Sequence, residues 1–358
     1  MDDNQSSSGS ENFVSSNVQK NDVIADDYLA VELINSGYSG EVWRCESKSC
    51  ARVVAIKVMY TVGESVRATR AAHVSALLKN SSSVDASFIC GLAETVFHLR
   101  HPCLVFELYG MNLKEMITKE NVLPLPLFQI KAIMWQVCNG VASHTDIKPE
   151  NVVLVDDQTT TVSDISPDGA FYNKNTCLKN VVSNVQIKII DLEDSVTSPR
   201  NLHFVPGTMG YRAPEVYGGV GWGFPVNVFA VGCLTFEIFT GLSLFPKTDD
   251  VREYFFCMER LLGHFAPGQA QDISEMHPAI FRTKTRVPKV RGAAINAKVC
   301  NKLLRHVADV KWFKKSINQS DAVEFISMCT AVDPHRRLTI ESALRHRFFT
   351  KFSRVKLN

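Results

Sequence analysis

Eight residues, HTDIKPEN at 144–151, constrain this chain more than any other stretch of it. They form a polar segment that runs directly into four apolar residues, 152–155. Asp146 is suited to accept the proton of an incoming hydroxyl, Lys148 to offset charge on a phosphoryl group in transfer, and Asn151 to hold a magnesium ion. The spacing therefore favours phosphoryl transfer over the alternative, a solvated turn that happens to contain these residue types.

This segment resembles the catalytic loop of eukaryotic protein kinases. Thr145 stands where most kinases carry Arg, which is similar to the LAMMER kinases and the related SR-protein kinases. A second motif, EYFFCMERLLG at 253–263, resembles the signature that gives the LAMMER kinases their name. The resemblance extends over 28–352 and implies an α+β, bilobal protein kinase-like fold. Such a fold has a small antiparallel β-sheet lobe with one regulatory helix and a larger, mainly helical lobe.

The domain boundaries follow from composition and from this resemblance. Residues 1–27 are rich in Ser, Asn and Asp and are predicted to be a disordered tail. The kinase domain is expected at 28–352, with its N-lobe, hinge and C-lobe at 28–106, 107–110 and 111–352. Residues 156–184 are polar and are predicted to be an insert on the surface of the C-lobe.

Composition and charge limit the partners and the compartment. A formal net charge of +2 over 358 residues gives no case for direct binding to nucleic acid or to a membrane surface. No run reaches the roughly 18 apolar residues of a membrane span. Ten cysteines lie singly, without C-x-x-C spacing, as expected for reduced and mostly buried thiols. We therefore expect the protein in the nucleus, the cytoplasm or both, and the resemblance implies a monomer with proteins as its substrates.

The N-terminal part of the domain carries most of the residues that the resemblance assigns to ATP. The segment 35–40, NSGYSG, resembles the kinase glycine-rich loop with its first Gly replaced by Asn35, although a hairpin turn would look similar. Glycines here let backbone amides approach phosphate oxygens. The predicted nucleotide-binding residues are Asn35, Gly37, Gly40, Val42, Ala55, Lys57, Phe106, Glu107, Leu108 and Val153.

Lys57 is the single charged residue in the predicted strand 53–59. A Lys on a half-buried strand is costly unless it has an anionic partner, and the α and β phosphates of ATP would supply one. A Lys that snorkels at a strand edge is the alternative. Lys57 matches the kinase strand lysine. Together with Asp146 and Lys148 of the loop motif, it makes up the set of predicted catalytic residues.

The predicted metal ligands are Asn151 and Asp191. Asp191 follows the predicted strand 185–190, and a carboxylate at the end of a strand facing phosphate is placed to chelate Mg²⁺. It matches the metal-binding Asp of the kinase D-F-G triplet. Glu193 stands in place of the Gly of that triplet and brings a second anion near the metal.

Three further features depart from the kinase pattern. The predicted regulatory helix 62–79 has His73 or Ala72 where the Glu that pairs with Lys57 belongs, so this ion pair is predicted to be missing. A helix is predicted at 125–141, and LAMMER kinases carry several more residues between this helix and the catalytic loop, so either the helix ends early and its final turn becomes the connector or the sequence carries a deletion. Asn227 replaces the Asp that anchors the loop backbone, which predicts a weaker anchor.

Two contacts that fasten the C-lobe are also predicted from the resemblance. Glu215 is expected to pair with Arg337, and Thr208 is expected to hydrogen-bond Asp146. The basic run 282–291, RTKTRVPKVR, is either a solvated loop or a docking or nuclear-import patch.

Three classes of function remain open on these motifs. The resemblance implies a Ser/Thr or dual-specificity protein kinase that uses ATP and Mg²⁺, with Arg-Ser-rich splicing factors as its substrates. The departures favour the alternative of a LAMMER-like pseudokinase that binds nucleotide or partners. A fold without any kinase role is disfavoured, because too many motifs occur in the expected order.

Overall fold

The computed structural model describes the residues 16–37, 39–60, 68–69, 72, 87–119, 122–123, 125–141, 146–162, 179–191, 205–248, 250–278, 280–282, 289–290, 297–316 and 320–349. The chain divides into two compact units. The first comprises Met1–Ser82, Cys90–Leu108 and Asp191–Asp194, and the second comprises Ser83–Ile89, Tyr109–Ile190 and Ser195–Asn358. The change of unit at Leu108 falls inside the segment predicted to be the hinge.

The first unit is built on a six-stranded antiparallel sheet. In spatial order, its strands are β1 (Val23–Ile24), β2 (Tyr28–Ser36), β3 (Gly40–Ser47), β4 (Val53–Met59), β6 (His101–Glu107) and β5 (Leu92–His98). β-Branched residues dominate β4, as expected for a pleated strand packed on one face.

One face of this sheet forms the core of the first unit. Trp43, Ile56 and Val105 are direct partners across β3, β4 and β6, and all three are buried. Cross-strand partners share a face, so this row marks the buried side. The full cluster on that side is Val18, Ile24, Tyr28, Ala30, Trp43, Cys45, Ile56, Val58, Cys103 and Val105.

The predicted tail at 1–27 is wrong for its second half. β1 pairs with β2, and the side chains of Ile24 and Val18 are both buried. Two apolar side chains in a polar stretch are enough to cover the end of the sheet. The average composition of the stretch does not reveal them. Residues 1–15 lie outside the described residues.

The second unit is mainly helical. The helices in its described part are α1 (Leu113–Thr118), α2 (Leu127–Gly140), α3 (Pro214–Gly218), α4 (Pro225–Thr240), α5 (Val251–Leu262), α6 (Pro267–Met276), α7 (Ala297–Ser316), α8 (Ser320–Cys329) and α9 (Ile340–Leu344). The predicted helix at 125–141 is thus confirmed as α2. Together with the sheet of the first unit, these helices confirm the predicted kinase-like fold class.

α4 is the centre of the second unit. Every residue from Val226 to Phe239 is buried, as expected for a helix that is apolar all round. Its Phe229 ring stacks on Phe245 with centroids 5.8 Å apart. α4 packs against α2, the helix that precedes the catalytic loop, and against α8.

Three two-stranded antiparallel sheets complete the described structure. β7 (Val152–Leu154) pairs with β10 (Ile187–Ile189) and frames the end of the catalytic loop. β8 (Thr159–Val162) pairs with β9 (Lys179–Val182), so the polar insert contains a strand pair. β11 (Phe281–Arg282) pairs with β12 (Lys289–Val290) at the ends of the basic run.

Two predictions about chemistry outside the site can be compared with this structure. The nine cysteines in the described part of the chain are free, and seven of them are buried. Burial raises the pKa of the Cys138 thiol to about 12, so this thiol is unreactive at neutral pH. Among the described residues, no helix combines the length and the apolarity that crossing a membrane requires.

Candidate active site

Five of the predicted nucleotide-binding residues lie on the face of the sheet opposite the core. Val42 is the cross-strand partner of Lys57 on one side and of Asn35 on the other. Ala55, two residues before Lys57, is the partner of Phe106. Since partners share a face and side chains two residues apart point the same way, all five project from one side of the sheet.

The two glycines of the loop between β2 and β3 differ in what the backbone requires. The Gly37 amide donates to the Gly40 carbonyl at 2.9 Å, which closes the turn. A Cβ at Gly40 would lie 2.3 Å from the Val58 carbonyl oxygen, so only Gly permits this approach of β3 to β4. A Cβ at Gly37 would meet nothing closer than 4.0 Å.

Lys57 forms an ion pair with Asp191 in the first unit, with 3.0 Å between Nζ and Oδ1. The Lys57 side chain is 13% exposed, so the carboxylate offsets the cost of holding its charge on a half-buried strand. Asp191 has a φ of 68°, in the left-handed region that few residues other than Gly adopt. Strain of this kind collects at functional sites.

The other predicted nucleotide-binding residues lie in the following elements. Glu107 ends β6, and Leu108 follows it. Val153 lies in β7 of the second unit and is buried. Of the predicted regulatory helix, only 68–69 and 72 are described, so the predicted lack of its Glu partner lies outside the described residues, as does Glu193.

The catalytic loop turns tightly around Asn151. Residues 149–151 form a single 3₁₀ turn, and Pro149 stands at its first position, where its missing amide is tolerated. The Asn151 side chain points back into the loop, and its Nδ2 donates to the Asp146 carbonyl at 2.9 Å. The Asn151 carbonyl accepts from the Ile190 amide at 2.9 Å, which ties the turn to the end of β10. Residues 142–145, which include His144 and Thr145, are not among those described.

The Asp146 carboxylate receives hydrogen bonds on both oxygens. Lys148 Nζ lies 2.6 Å from Oδ2, and Thr208 Oγ1 donates to Oδ1 at 2.8 Å, which confirms the predicted contact with Thr208. Lys148 also donates to Thr208 at 2.9 Å, so the three groups close a ring. Charge-assisted bonds of this length fix the carboxylate in one orientation.

Asn151 meets the requirements of a magnesium ligand. Because its Nδ2 is directed at Asp146, its Oδ1 is turned to the other side, where it accepts no hydrogen bond from the described residues. Amide and carboxylate oxygens are the ligands that Mg²⁺ takes, usually one or two protein groups together with substrate phosphates. Asn151 and Asp191 have the chemistry that such a set needs.

The segment 205–213 is held by the residues around it. The Arg212 guanidinium donates to the Pro206 and Gly207 carbonyls, at 3.1 Å and 2.6 Å. The hydroxyl of Tyr254, in the motif that resembles the LAMMER signature, donates to the Arg212 carbonyl at 2.9 Å. The signature helix α5 therefore supports this segment directly.

Tyr211 connects the segment to a buried acid. Its hydroxyl donates to Glu237, a fully buried residue of α4, and Lys114 Nζ lies 2.7 Å from the same carboxylate. Burial, and then the charge of Glu237, raise the pKa of the Tyr211 phenol, which stays protonated. Sequence reasoning missed this trio. The available signal was Glu237, the single charged residue in an otherwise apolar helix, just as Lys57 is the single charged residue in an apolar strand.

Glu215 and Arg337 form the predicted fastening. Both guanidinium nitrogens Nη1 and Nη2 donate to the carboxylate at 2.6 Å. The side chains are 5% and 0% exposed. Arg337 also donates to the Ala331, Pro225 and Val332 carbonyls, so the pair is fully hydrogen-bonded.

Comparisons with known proteins identify the family and the fold of this chain. The model of the protein kinase domain family matches residues 28–349, and the chain therefore belongs to the protein kinase family. The solved kinase domain of PF14_0431 superimposes with a TM-score of 0.76, covering 94% of this chain and 98% of that one. At 22% identity, that likeness concerns the fold.

Relatives with dual-specificity and Ser/Thr kinase names are similar over most of the chain. Dual specificity protein kinase lkh1 of Schizosaccharomyces pombe is 28% identical over 93% of this chain and 48% of its own length. Serine/threonine-protein kinase AFC2 of Arabidopsis thaliana is 29% identical over 90% and 77%. Dual specificity protein kinase CLK1 of Homo sapiens is 28% identical over 92% and 67%. The chain thus spans less than half of lkh1.

Proposed function

We propose that this chain is an active protein kinase that transfers the γ-phosphoryl group of Mg-ATP to serine and threonine hydroxyls of proteins. The observation that carries the proposal is the Asp146 carboxylate, which Lys148 and Thr208 hold on both oxygens while Asn151 holds the backbone. These hydrogen bonds hold the carboxylate in place before the substrate hydroxyl gives up its proton, as a general base requires. This support of the carboxylate favours an active enzyme over a scaffold without turnover.

The residues have separate tasks in the proposed reaction. Asp146 accepts the hydroxyl proton as the substrate oxygen attacks the phosphorus, and Lys148 offsets charge that develops on the phosphoryl oxygens. Lys57 exchanges its contact with Asp191 for the phosphates of ATP. Asn151 and Asp191 are the proposed ligands of Mg²⁺, which when bound neutralises phosphate charge.

The direct test is a phosphotransfer assay with labelled ATP. We expect the purified chain to label serine-containing peptides in the presence of Mg²⁺ and to stop when EDTA is added. Phosphoamino-acid analysis of the products will separate Ser/Thr specificity from dual specificity. No transfer above background, together with an Mg-ATP-dependent rise in Tm, would establish nucleotide binding without turnover and overturn the proposal in favour of a pseudokinase.

For the substrate class, we propose peptides rich in Arg and Ser, such as those of splicing factors. The support is Glu150 in the catalytic loop, whose Oε2 is buried and has no hydrogen-bond partner in the described part of the chain. Glu150 as a whole is only half-buried, so an arginine of the substrate can approach its carboxylate from solvent and supply the missing donor and a cation. Glu150 also acts electrostatically on Tyr211, which places it near the 205–213 segment.

Substitution at Glu150 tests this preference. We expect Glu150→Gln to lower kcat/KM for an Arg-Ser peptide about tenfold, because one charge-assisted bond is lost. The value for a peptide with acidic flanks should stay within about twofold of wild type. Glu275→Gln, at an exposed position of α6, is the matched control. An equal loss on both peptides would contradict the assignment of Glu150 to substrate arginine.

A further inference from the structure

The N-terminal segment 16–24 is fastened to the sheet of the first unit. The Asn21 amide donates to the Ala30 carbonyl at 2.7 Å, which ties the backbone of the segment to β2. The side chains of Val18 and Ile24 lie in the core on the buried side of the sheet. A segment held by its backbone and by two buried side chains has a fixed course, so the residues next to Val18 are positioned as well.

Ser16, at the beginning of this segment, reaches a carboxylate on β3. Its Oγ donates to Glu41 Oε2 at 2.6 Å. The same Oγ accepts from the Val18 amide at 3.4 Å, which orients the hydroxyl toward the carboxylate. Ser16 is 2% exposed. Because a charge-assisted hydrogen bond is stronger than a neutral one, this contact is a firm link between the N-terminal segment and β3.

Glu41 belongs to the hairpin that the resemblance assigns to ATP. It follows Gly40 directly, and it is the cross-strand partner of Ser36 in β2. Neighbouring residues of a strand point to opposite faces, so Glu41 lies on the face of the core and Val42 on the face of the predicted nucleotide-binding residues. Any effect of Glu41 on a nucleotide must therefore pass through the backbone of the hairpin.

Two more side chains meet the Glu41 carboxylate. The Trp43 indole nitrogen donates to Oε2 at 3.3 Å, and the Tyr60 hydroxyl donates to Oε1 at 3.5 Å. Tyr60 follows β4, its amide donates to the Ser39 carbonyl at 3.0 Å, and its hydroxyl lies 3.5 Å from Ser36 Oγ. The carboxylate thus joins the N-terminal segment to β3 and, through Tyr60, to β2 and the end of β4. The bond from the N-terminal segment is the shortest of these three contacts.

We propose that Ser16 and Glu41 are positioning residues for ATP, through which the N-terminal segment fixes the glycine-rich hairpin before the nucleotide binds. The inference rests on the ATP-binding part of the proposed function. A loop with glycines at 37 and 40 has wide conformational freedom, and ordering it on binding costs free energy. A support that holds the hairpin beforehand lowers that cost, so its loss should weaken the affinity for nucleotide.

Removal of the Ser16 hydroxyl tests this link. We expect Ser16→Ala to raise the KM for ATP and the Kd for Mg-ATP, measured by isothermal titration, about three- to tenfold, with kcat within about twofold of wild type. Ser47→Ala is the matched control, because Ser47 Oγ donates to Asp27 Oδ2 at 2.7 Å at the opposite end of β3. This control should lower Tm as Ser16→Ala does, while KM and Kd stay unchanged.

A double-mutant cycle shows whether Ser16 acts through Glu41. Glu41→Ala removes the acceptor and should raise the Kd for Mg-ATP at least as much as Ser16→Ala does. Since the hydroxyl then has no carboxylate to bind, adding Ser16→Ala to Glu41→Ala should change Kd by less than about twofold. If the effects of the two substitutions multiply instead, Ser16 does not act through Glu41 and the proposal is wrong.

Affinity and turnover are measured separately, so the proposed function and this inference fail in different ways. A lowered Tm of Ser16→Ala with unchanged Kd and KM would make Ser16 a structural residue only and would overturn the inference. If wild type binds Mg-ATP without transferring phosphate, the proposed function fails, while a raised Kd of Ser16→Ala still supports the inference. If wild type does not bind Mg-ATP, both are overturned.

Discussion

The Asp146→Asn variant is expected to lose phosphotransfer activity by about 10²–10⁴-fold in kcat, the range that a general base contributes. The amide matches the carboxylate in shape but cannot accept the substrate proton. Its effect should fall on kcat, with KM for ATP within about threefold of wild type, because the interaction is made in the transition state. Phosphotransfer to the Arg-Ser peptide under saturating ATP is the measurement.

The hydrogen bonds around Asp146 explain why this variant should fold normally. An amide oxygen in place of Oδ2 can still accept from Lys148, which lies at 2.6 Å. The amide nitrogen in place of Oδ1 would face Thr208, whose hydroxyl can turn from donor to acceptor. No buried group is left without a partner, so Tm should change by less than about 2 °C.

Asp309→Asn is the matched control for Asp146→Asn. It makes the same chemical change at an exposed position of α7 and should keep full activity. A retained Mg-ATP-dependent rise in Tm in the Asp146 variant would show that nucleotide binding is intact. If Asp146→Asn and wild type transfer phosphate at equal rates, Asp146 is not the base and the proposed mechanism is wrong.

Much of the site could be predicted because its chemistry is local in sequence. The contacts of Asp146 with Lys148 and Asn151 join residues at most five positions apart, and the loop motif contains all three. Lys57 was predictable for a different reason: a lone charge on an apolar strand requires a partner. The structure supplies that partner from Asp191, a residue that the sequence assigned to metal.

The contacts that sequence reasoning missed join residues that are far apart in the sequence, and the sequence does not show which group donates the hydrogen bond. Nothing in the sequence near Asn227 shows that it faces the end of α2, 86 residues earlier. The sequence predicted a weaker anchor of the loop backbone, and the structure shows a bond from the Asn227 Nδ2 to the Val141 carbonyl. In the same way, the tail prediction failed at Ile24 because two buried apolar residues cannot be seen in an averaged composition.

The Arg337→Met variant is expected to show the largest loss of stability, about 3–5 kcal/mol in the free energy of unfolding of the second unit. Most of this loss comes from Glu215, whose carboxylate would remain buried without its cation. The Ala331 and Val332 carbonyls would lose donors as well. The adjacent Arg336, with a side chain 84% exposed and 3.6 Å from Asp333, provides the control. Arg336→Met should change stability by less than about 0.5 kcal/mol.

A double variant separates the burial of an unpaired charge from the value of the pair. Adding Glu215→Leu to Arg337→Met removes the stranded carboxylate, so the double variant should be more stable than Arg337→Met alone. Urea unfolding followed by tryptophan fluorescence measures both, with Trp222 between α3 and α4 as a reporter in the same unit. If Arg337→Met is no less stable than Arg336→Met, the ion pair does not support α4.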